Sequence, residues 1–166
     1  MLDELSLPFV SSAENVFSTM LNLQVQVGQP AEVPVVRESA HDVSGIIAMS
    51  GDIEGTVALR FPADTAVRVA SLFAGVEIDA STPDFADAVG ELANMVVGGA
   101  KAKFKGKNIS ISCPSIIVGQ NHLVVGSRDA VCVNIPCECE CGSFAVDVLL
   151  NERSAQQFGL RPRIAA

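Results

Sequence analysis

A short row of polar residues at helical spacing is the part of this chain that could do chemistry. Asp87, Glu91 and Asn94 follow one another at intervals of four and three residues, so on a helix, at about 100° per residue, they fall within roughly 60° of one another. Gly98 and Lys101 continue the row. The opposite side of such a helix is apolar and is formed by Val89, Leu92, Ala93, Val96 and Ala100. An acid-acid-amide row on the exposed face of an amphipathic helix is suited to meet a partner, and we interpret it as the candidate site.

The sequence also predicts the ends of this helix. Thr82, Pro83 and Asp84 are typical of a helix start with proline at an early position, and Gly106 predicts the stop, so the helix should run to about residue 105. Two glycines inside it, Gly90 and Gly98, each cost about 1 kcal/mol relative to alanine. Their presence indicates that something approaches the helix closely.

The remaining elements are predicted from periodicity and turn residues. Other helices are expected at residues 8–23, with Ser11 or Ser12 as the candidate N-cap, at 64–73, ending near Gly75, and at 154–158. Strands are expected at 44–49, 56–61, 109–113, 116–118, 123–127, 131–141 and 143–150. The glycine-flanked residues 51–55 predict a hairpin between the first two strands, and residues 29–39 are connecting or edge-like.

The order of elements suggests an internal duplication. Helix 8–23 parallels helix 84–105, and the strand at 55–61 parallels that at 142–148. We therefore predict a pseudo-twofold α+β fold, a single domain over residues 1–166 with pseudo-repeats at approximately 8–75 and 82–152. In the first helix Glu14 takes the place of Glu91, but Phe17 takes that of Asn94. Only the second helix is then expected to keep the polar site.

Composition excludes several classes of function. The formal net charge of −8 makes attraction to nucleic acid or to an anionic membrane an unfavourable interpretation. Lys101, Lys103, Lys105 and Lys107 form a cluster, but such lysines more often face the C-terminal dipole of a helix than bind phosphate. No apolar run is long enough to span a bilayer, and the first residues are acidic where a secretory signal would be basic. These observations predict a cytoplasmic protein.

The cysteines and histidines do not predict a metal site. Five cysteines, an odd number, argue against a disulfide framework. In a strand, the alternation of Cys137, Cys139 and Cys141 with two glutamates sends the thiols to one face. The close C-x-x-C pair of zinc sites is missing, and the two histidines, His41 and His122, are isolated and expected at the surface. No nucleotide-binding glycine loop or Ser-His-Asp set competes with the polar row.

The row also carries a resemblance to a known family. The pattern D-x-x-x-E-x-x-N, here Asp87, Glu91 and Asn94, is followed about twenty residues later by Pro114. Together with the segment from Pro8 to Met20 and the hairpin at 51–61, it makes nearly the whole chain resemble the CheX, CheC and FliY phosphatases of bacterial chemotaxis, CheX most of all. The resemblance implies an antiparallel sheet with two long helices packed on it. It also agrees with a single site, as in CheX-like members.

What the resemblance implies for function is hydrolysis of the aspartyl phosphate of a CheY-like response-regulator receiver domain. Asn94 would position the attacking water, because its amide accepts and donates hydrogen bonds and carries no charge to repel a phosphoryl group. Glu91 would pair with the active-site lysine of the receiver. Asp87, Gly98 and Lys101 are expected to contact the partner.

The same resemblance sets expectations for cofactors and assembly. No cofactor or metal of its own is expected, and Mg²⁺ is expected on the partner receiver. A homodimer formed through an edge strand is expected, for which the strand holding Cys137, Cys139 and Cys141 is a candidate. The alternative from a different class is a noncatalytic adaptor that uses this helix to bind a receiver domain or a flagellar-switch component. A third interpretation keeps the chemistry but assigns it to a response regulator outside chemotaxis.

Overall fold

Helices and one antiparallel sheet make up the structure, a computed structural model in which residues 1–37 and 41–162 are described. The helices are α1 (Leu2–Leu21), α2 (Ala63–Ala74), α3 (Pro83–Lys103) and α4 (Glu152–Gln156). The strands are β1 (Gln26–Val27), β2 (Ala31–Val33), β3 (Val43–Gly51), β4 (Gly55–Phe61), β5 (Ile109–Ile111), β6 (Ser115–Val118), β7 (Val131–Cys139) and β8 (Gly142–Leu150). The predicted α+β class with an antiparallel sheet is confirmed.

Two long hairpins form the middle of the sheet. The strand order is β1-β7-β8-β4-β3-β5, with β2 also paired to β7 and β6 also paired to β3. The predicted hairpin at 51–55 joins β3 to β4, with Met49 opposite Gly55, and it turns at Gly51, whose φ of 102° suits glycine. Short strands therefore lie outside the long ones on both sides of the sheet.

One face of the sheet forms the core with the helices. Phe17 of α1 stacks on Phe144 of β8, with ring centroids 4.6 Å apart, and Phe61 of β4 adds a second stacked contact at 5.5 Å. All three rings are buried. Aromatic pairs of this kind join helix and sheet over a large apolar area.

The other face of the sheet carries a buried cluster of charges. Arg60, which alternates with core residues along β4, donates from Nη1 to Oδ2 of Asp147 at 3.0 Å, and Arg37 donates to the same oxygen at 2.7 Å. Asn134 donates to Oδ1 at 2.6 Å, and Arg60 also reaches the carbonyl oxygen of His122 at 2.8 Å. These bonds fasten the segments around residues 37 and 122 to the sheet.

Several predicted boundaries differ from the structure. Helix α1 begins at Leu2 and not near residue 8, so neither Ser11 nor Ser12 is an N-cap; proline is tolerated at residue 8 although it lies inside the helix. Helix α3 ends at Lys103 with Phe104 as its C-cap, two residues before the predicted end. Buried contacts explain the earlier start of α1, since Leu5 and Ser6 of the added residues are buried.

The predicted strand at 123–127 is wrong. Residues 123–127 belong to no strand, and β3 already pairs with β5 and β6 on that side. Gly126 packs on the sheet instead, since a Cβ there would lie 3.3 Å from Cδ2 of Leu149. The segment crosses over the sheet face, where Arg60 donates to the carbonyl oxygen of His122 and Gly126 lies against Leu149.

The strand with the three cysteines is not an edge strand, so that prediction is also wrong. β7 lies between β8 and the short strands β1 and β2, and Glu138 stands opposite Gln26. Cys137 and Cys141 are buried and Cys139 is half-buried, whereas the glutamates between them are exposed. Burial raises the pKa of Cys137 to about 12, which makes its thiol unreactive.

The two histidines are half-buried, not surface residues as expected. Nδ1 of His122 donates to the carbonyl oxygen of Gly119 at 2.8 Å, and Nε2 lies 2.6 Å from Oγ of Ser44. Burial and the nearby charge of Arg60 lower the pKa of His41. The segments that fold over the sheet carry both rings with them.

Residues 1–37 and 41–162 contain neither a membrane-spanning helix nor a cluster of metal-ligating side chains. Within residues 1–37 and 41–162, no helix has both the length and the apolar character needed to cross a bilayer. In the same ranges, His, Cys, Asp and Glu side chains do not gather in threes that could hold a metal ion.

Candidate functional site

Helix α3 carries the predicted row on its outer face. Asp87 and Glu91 are exposed, and Asn94, Gly98 and Lys101 are half-buried. The residues between them are directed into the core; the buried ones are Phe85, Ala88, Val89, Gly90, Leu92, Ala93, Val96, Val97 and Ala100. The structure thus brings all five predicted residues together on one helix, in line.

The polar side chains of the row are not used by the fold. Within residues 1–37 and 41–162, the side chains of Asp87, Glu91 and Asn94 form no hydrogen bond and no ion pair. The amide of Asn94 keeps both its acceptor oxygen and its two donor hydrogens. Two carboxylates and one amide are therefore available to groups from another molecule.

A close contact with α1 fixes the position of α3. Oγ of Ser12 donates to the carbonyl oxygen of Val96 at 2.6 Å, in a buried hydrogen bond two residues beyond Asn94. Gly99 is required beside it, because a Cβ at that position would overlap Oγ of Ser12. The two helices approach closely here, so the register of α3 is fixed near the row.

The sheet side of α3 is held in a similar way. Gly45 of β3 lies under the helix, and a Cβ there would come within 2.9 Å of Cβ of Ala93 and 3.5 Å of Cγ1 of Val89. Real Cβ atoms do not approach so closely without displacement of a neighbour. The missing side chain at Gly45 lets α3 lie directly on the sheet.

Pro114 flanks the row, and Gly90 makes room for it. A Cβ on Gly90 would lie 3.3 Å from Cγ of Pro114 and 3.4 Å from Cδ1 of Ile116. The close approach that the sequence indicated at Gly90 is thus made by the chain itself, one residue before Glu91. The glycine in the middle of a predicted helix was a sequence signal for this contact.

Gly98 is different, because the fold leaves space at this position. A Cβ there would meet only Cδ1 of Ile111, at an ordinary contact distance of 3.9 Å. The packing within the described residues therefore gives no reason for glycine at residue 98.

Helix α1 does not repeat the site. Glu14 is exposed, but Phe17, three residues later, is buried against Phe144 in the core. An apolar ring in the core offers no hydrogen-bonding group to a partner. The polar face of α3 has no counterpart at these positions of α1.

The three polar side chains of the row, those of Asp87, Glu91 and Asn94, lie outside two neighbouring grooves of the structure. A groove of about 1160 Å³ lies between the end of α1 and helix α2, and a second of about 530 Å³ lies at the C-terminal end of α3. Asp87, Glu91 and Asn94 line neither of them. Small-molecule sites are usually concave, so this arrangement fits groups presented by the surface of another macromolecule.

Comparison with known proteins identifies the family to which this chain belongs. Residues 43–138, which include all of α3, match the family described as chemotaxis phosphatase CheX. A protein of Thermotoga maritima named CheY-P phosphatase CheX is 28% identical over 115 residues, which span 68% of this chain and 74% of that protein.

Solved structures agree with this match. The crystal structure of a chemotaxis protein CheX from Desulfovibrio desulfuricans is similar with a TM-score of 0.82 and 31% identity, over 89% of this chain and 99% of that one. CheX from Borrelia burgdorferi, crystallised with CheY, BeF3 and Mg²⁺, has a TM-score of 0.72 over 89% of this chain and 98% of that one. At 24% identity, the second likeness is one of fold.

Proposed function

Because this chain belongs to the chemotaxis phosphatase CheX family, we propose that it hydrolyses the aspartyl phosphate of a phosphorylated CheY-like receiver domain. It is then a protein aspartyl-phosphate phosphatase; the relative from Thermotoga maritima is named CheY-P phosphatase CheX. The observation that carries the proposal is the row on α3. Its acid and amide side chains are exposed or half-buried and engage nothing else in the described chain.

Asn94 is the residue we assign to the attacking water. Its carbonyl oxygen accepts a hydrogen bond from the water and its amide group donates one, without placing a negative charge near the phosphoryl group. An acyl phosphate is already labile, so a modest effect suffices. A hundredfold acceleration corresponds to about 2.7 kcal/mol of barrier lowering, which positioning of one water can supply.

Glu91 is assigned to the active-site lysine of the receiver. The two residues lie one turn apart on α3, so a pair between Glu91 and that lysine would place Asn94 beside the phosphoryl group. At 4 Å and an effective dielectric of 20 such a pair is worth up to about 4 kcal/mol gross, and less after desolvation. Asp87, Gly98 and Lys101 would contact the surrounding receiver surface.

The metal of this reaction is expected on the partner. We assign no cofactor to this chain, and a Mg²⁺ held by the receiver would neutralise charge on the phosphoryl oxygens. The contribution of this chain is then limited to docking and to ordering one water.

The proposal is tested by phosphate release from a phosphorylated CheY-like receiver of the same organism. Wild-type protein should accelerate release, Asn94→Ala should abolish the acceleration while binding stays measurable, and Glu91→Ala should also weaken binding. Glu14→Ala, an exposed glutamate on α1, is the matched control and should behave as wild type. Equal activity of the Asn94 and Glu91 variants with wild type would remove α3 from the mechanism.

The same experiment separates a phosphatase from an adaptor. An adaptor would bind the phosphorylated receiver through α3 without shortening the lifetime of its phosphoryl group. Binding that is unaffected by Asn94→Ala, with no acceleration by wild type for any receiver, would replace the proposal with the adaptor function.

We also propose that the chain forms one domain with two pseudo-repeats, that it is cytoplasmic and that it forms a homodimer. An open edge supports the dimer, since β6 pairs with β3 alone among the described strands, and Ile117 and Val118 on it are 39% and 52% exposed. Light scattering after size exclusion should give twice the chain mass. Ile117→Lys should then shift it toward a monomer.

A further inference from the structure

A groove with three lysines adjoins the polar row. It has a volume of about 530 Å³ and lies between the C-terminal end of α3 and β5, lined in part by Gly98, Lys101, Lys105, Lys107 and Ile111. Gly98 and Lys101 belong to both the groove and the row, so the two surfaces are continuous.

The lysines of this groove are not neutralised by the chain. No carboxylate within residues 1–37 and 41–162 forms an ion pair with Lys101, Lys105 or Lys107; Nζ of Lys107 donates to the neutral amide of Gln157 at 2.8 Å. The nearby carboxylate of Asp52 accepts from the backbone N–H of Asn108. The groove is therefore a concentration of positive charge on a chain with a formal net charge of −8.

Capping of the helix does not account for these lysines. Lys101 and Lys103 lie in the last turn of α3, where they oppose the dipole, but Lys105 and Lys107 lie beyond its end. The chain turns at Gly106, which has a φ of 73°, and carries both along the groove. The sequence interpretation of the cluster as dipole-facing residues thus covers only its first half.

Charge makes such a groove useful for the proposed reaction. A phosphorylated receiver brings an anionic group to the row, and the row already holds Asp87 and Glu91. Repulsion between like charges slows encounter and weakens docking, whereas a local patch of opposite charge steers and orients the partner. The lysine groove supplies such a patch of positive charge next to the row.

The distances suit one partner that contacts both surfaces. At about 1.5 Å of rise per residue, Gly98 lies roughly 6 Å and Lys101 roughly 10 Å along the helix axis from Asn94. A typical protein interface covers about 800 Å² on each partner, which spans more than this distance. A receiver docked on Asn94 would therefore also cover the groove.

We propose that the lysine groove binds an acidic segment of the phosphorylated receiver next to its phosphoryl group. The proposal rests on the proposed phosphatase function and adds to it the chemistry by which the partner is selected. Lys105 is the residue that best tests it, because it is exposed, lies outside the helix and is not part of the row.

The test compares two charge reversals two residues apart. Lys105→Glu changes the groove, and Lys103→Glu changes the net charge equally at an exposed lysine that does not line it. For phosphate release from the phosphorylated receiver, Lys105→Glu should raise KM about five- to tenfold at low salt with kcat nearly unchanged. Lys103→Glu should change KM less than twofold, and Lys105→Arg should retain the wild-type value.

Salt supplies the second readout. The difference between the Lys105→Glu variant and wild type should nearly disappear at about 1 M NaCl, where the screening length is about 3 Å. If Lys105→Glu and Lys103→Glu changed KM equally, the groove would act only through the net charge of the protein, and the proposal would be overturned. Unchanged KM for Lys105→Glu, with wild-type phosphatase activity present, would also overturn it and leave the proposed function intact. Absence of activity in wild type would instead refute the proposed function.

Discussion

Alanine at two neighbouring glycines of α3 should have opposite effects on stability. In a helix interior, Gly→Ala gains about 0.5–1 kcal/mol from propensity alone. At Gly98 the new methyl would make only an ordinary contact, at 3.9 Å from Cδ1 of Ile111, so the gain should be retained. We expect Gly98→Ala to raise the free energy of unfolding by about 0.5–1 kcal/mol.

At Gly99 the same change should destabilise the protein. The methyl would overlap Oγ of Ser12, and overpacking costs about 1–3 kcal/mol. Separation of the helices would also weaken the bond from Ser12 to Val96, at about 1 kcal/mol. After the gain in helix propensity is subtracted, Gly99→Ala should lower the free energy of unfolding by about 1–3 kcal/mol.

Urea unfolding followed by circular dichroism measures both changes. Ser12→Ala combined with Gly99→Ala should cost less than the sum of the single changes, because the overlap is relieved in the double variant. A loss of stability at Gly98, or additive effects at Ser12 and Gly99, would refute the packing argument.

The Gly98 variant also tests the site. If a partner backbone approaches α3 at Gly98, the stabilised variant should show about tenfold lower kcat/KM for the phosphorylated receiver, because a displaced docking geometry costs catalysis. Wild-type kcat/KM in the Gly98→Ala variant would mean that the partner does not need this space.

Two further predictions concern the buried charged cluster around Asp147, on the face of the sheet that points away from the helices. Asp147→Ala should lower the free energy of unfolding by about 3–5 kcal/mol, because it removes the carboxylate between the guanidinium groups of Arg60 and Arg37. As a control, Asp129→Ala changes an exposed residue. In the same urea titration its free energy of unfolding should stay within about 0.5 kcal/mol of the wild-type value. Burial and the charge of Arg60 lower the pKa of His41 in the folded state. The unfolded chain therefore binds the proton more readily than the folded chain does. The contribution of His41 to stability is complete above about pH 6.5 and is lost as the pH falls below it. His41→Gln should therefore reduce the loss of unfolding free energy between about pH 7.5 and 5.5, and an unchanged loss would contradict this assignment.

The candidate row could be found from sequence because it depends on local geometry. Helical spacing alone lines up Asp87, Glu91 and Asn94, and the apolar residues between them show which side of α3 faces inward. The hairpin between β3 and β4 was equally accessible, since glycine-flanked turn residues separate two β-rich runs. Neither prediction required knowledge of a distant part of the chain.

Predictions that depended on which strands are neighbours in the sheet failed at two places. The strand with the cysteines was predicted as a candidate edge, but β1 and β2, more than 95 residues earlier in the chain, cover that side. The predicted strand at 123–127 failed because contacts with Arg60 and Leu149 hold this segment on the face of the sheet. Alternation identifies the faces of a strand, but it does not identify its neighbours.

By itself, the sequence determined the amphipathic helix, the position of its polar row and the absence of an equivalent row at Glu14 and Phe17. Tertiary structure alone decided that Gly90 accommodates Pro114, that Arg60 and Asp147 are buried together, and that lysines beyond α3 border a groove continuous with the row. The physical reason is the range of the interactions. Backbone geometry and side-chain periodicity act over a few residues, whereas packing and charge pairing join residues that only the folded chain brings into contact.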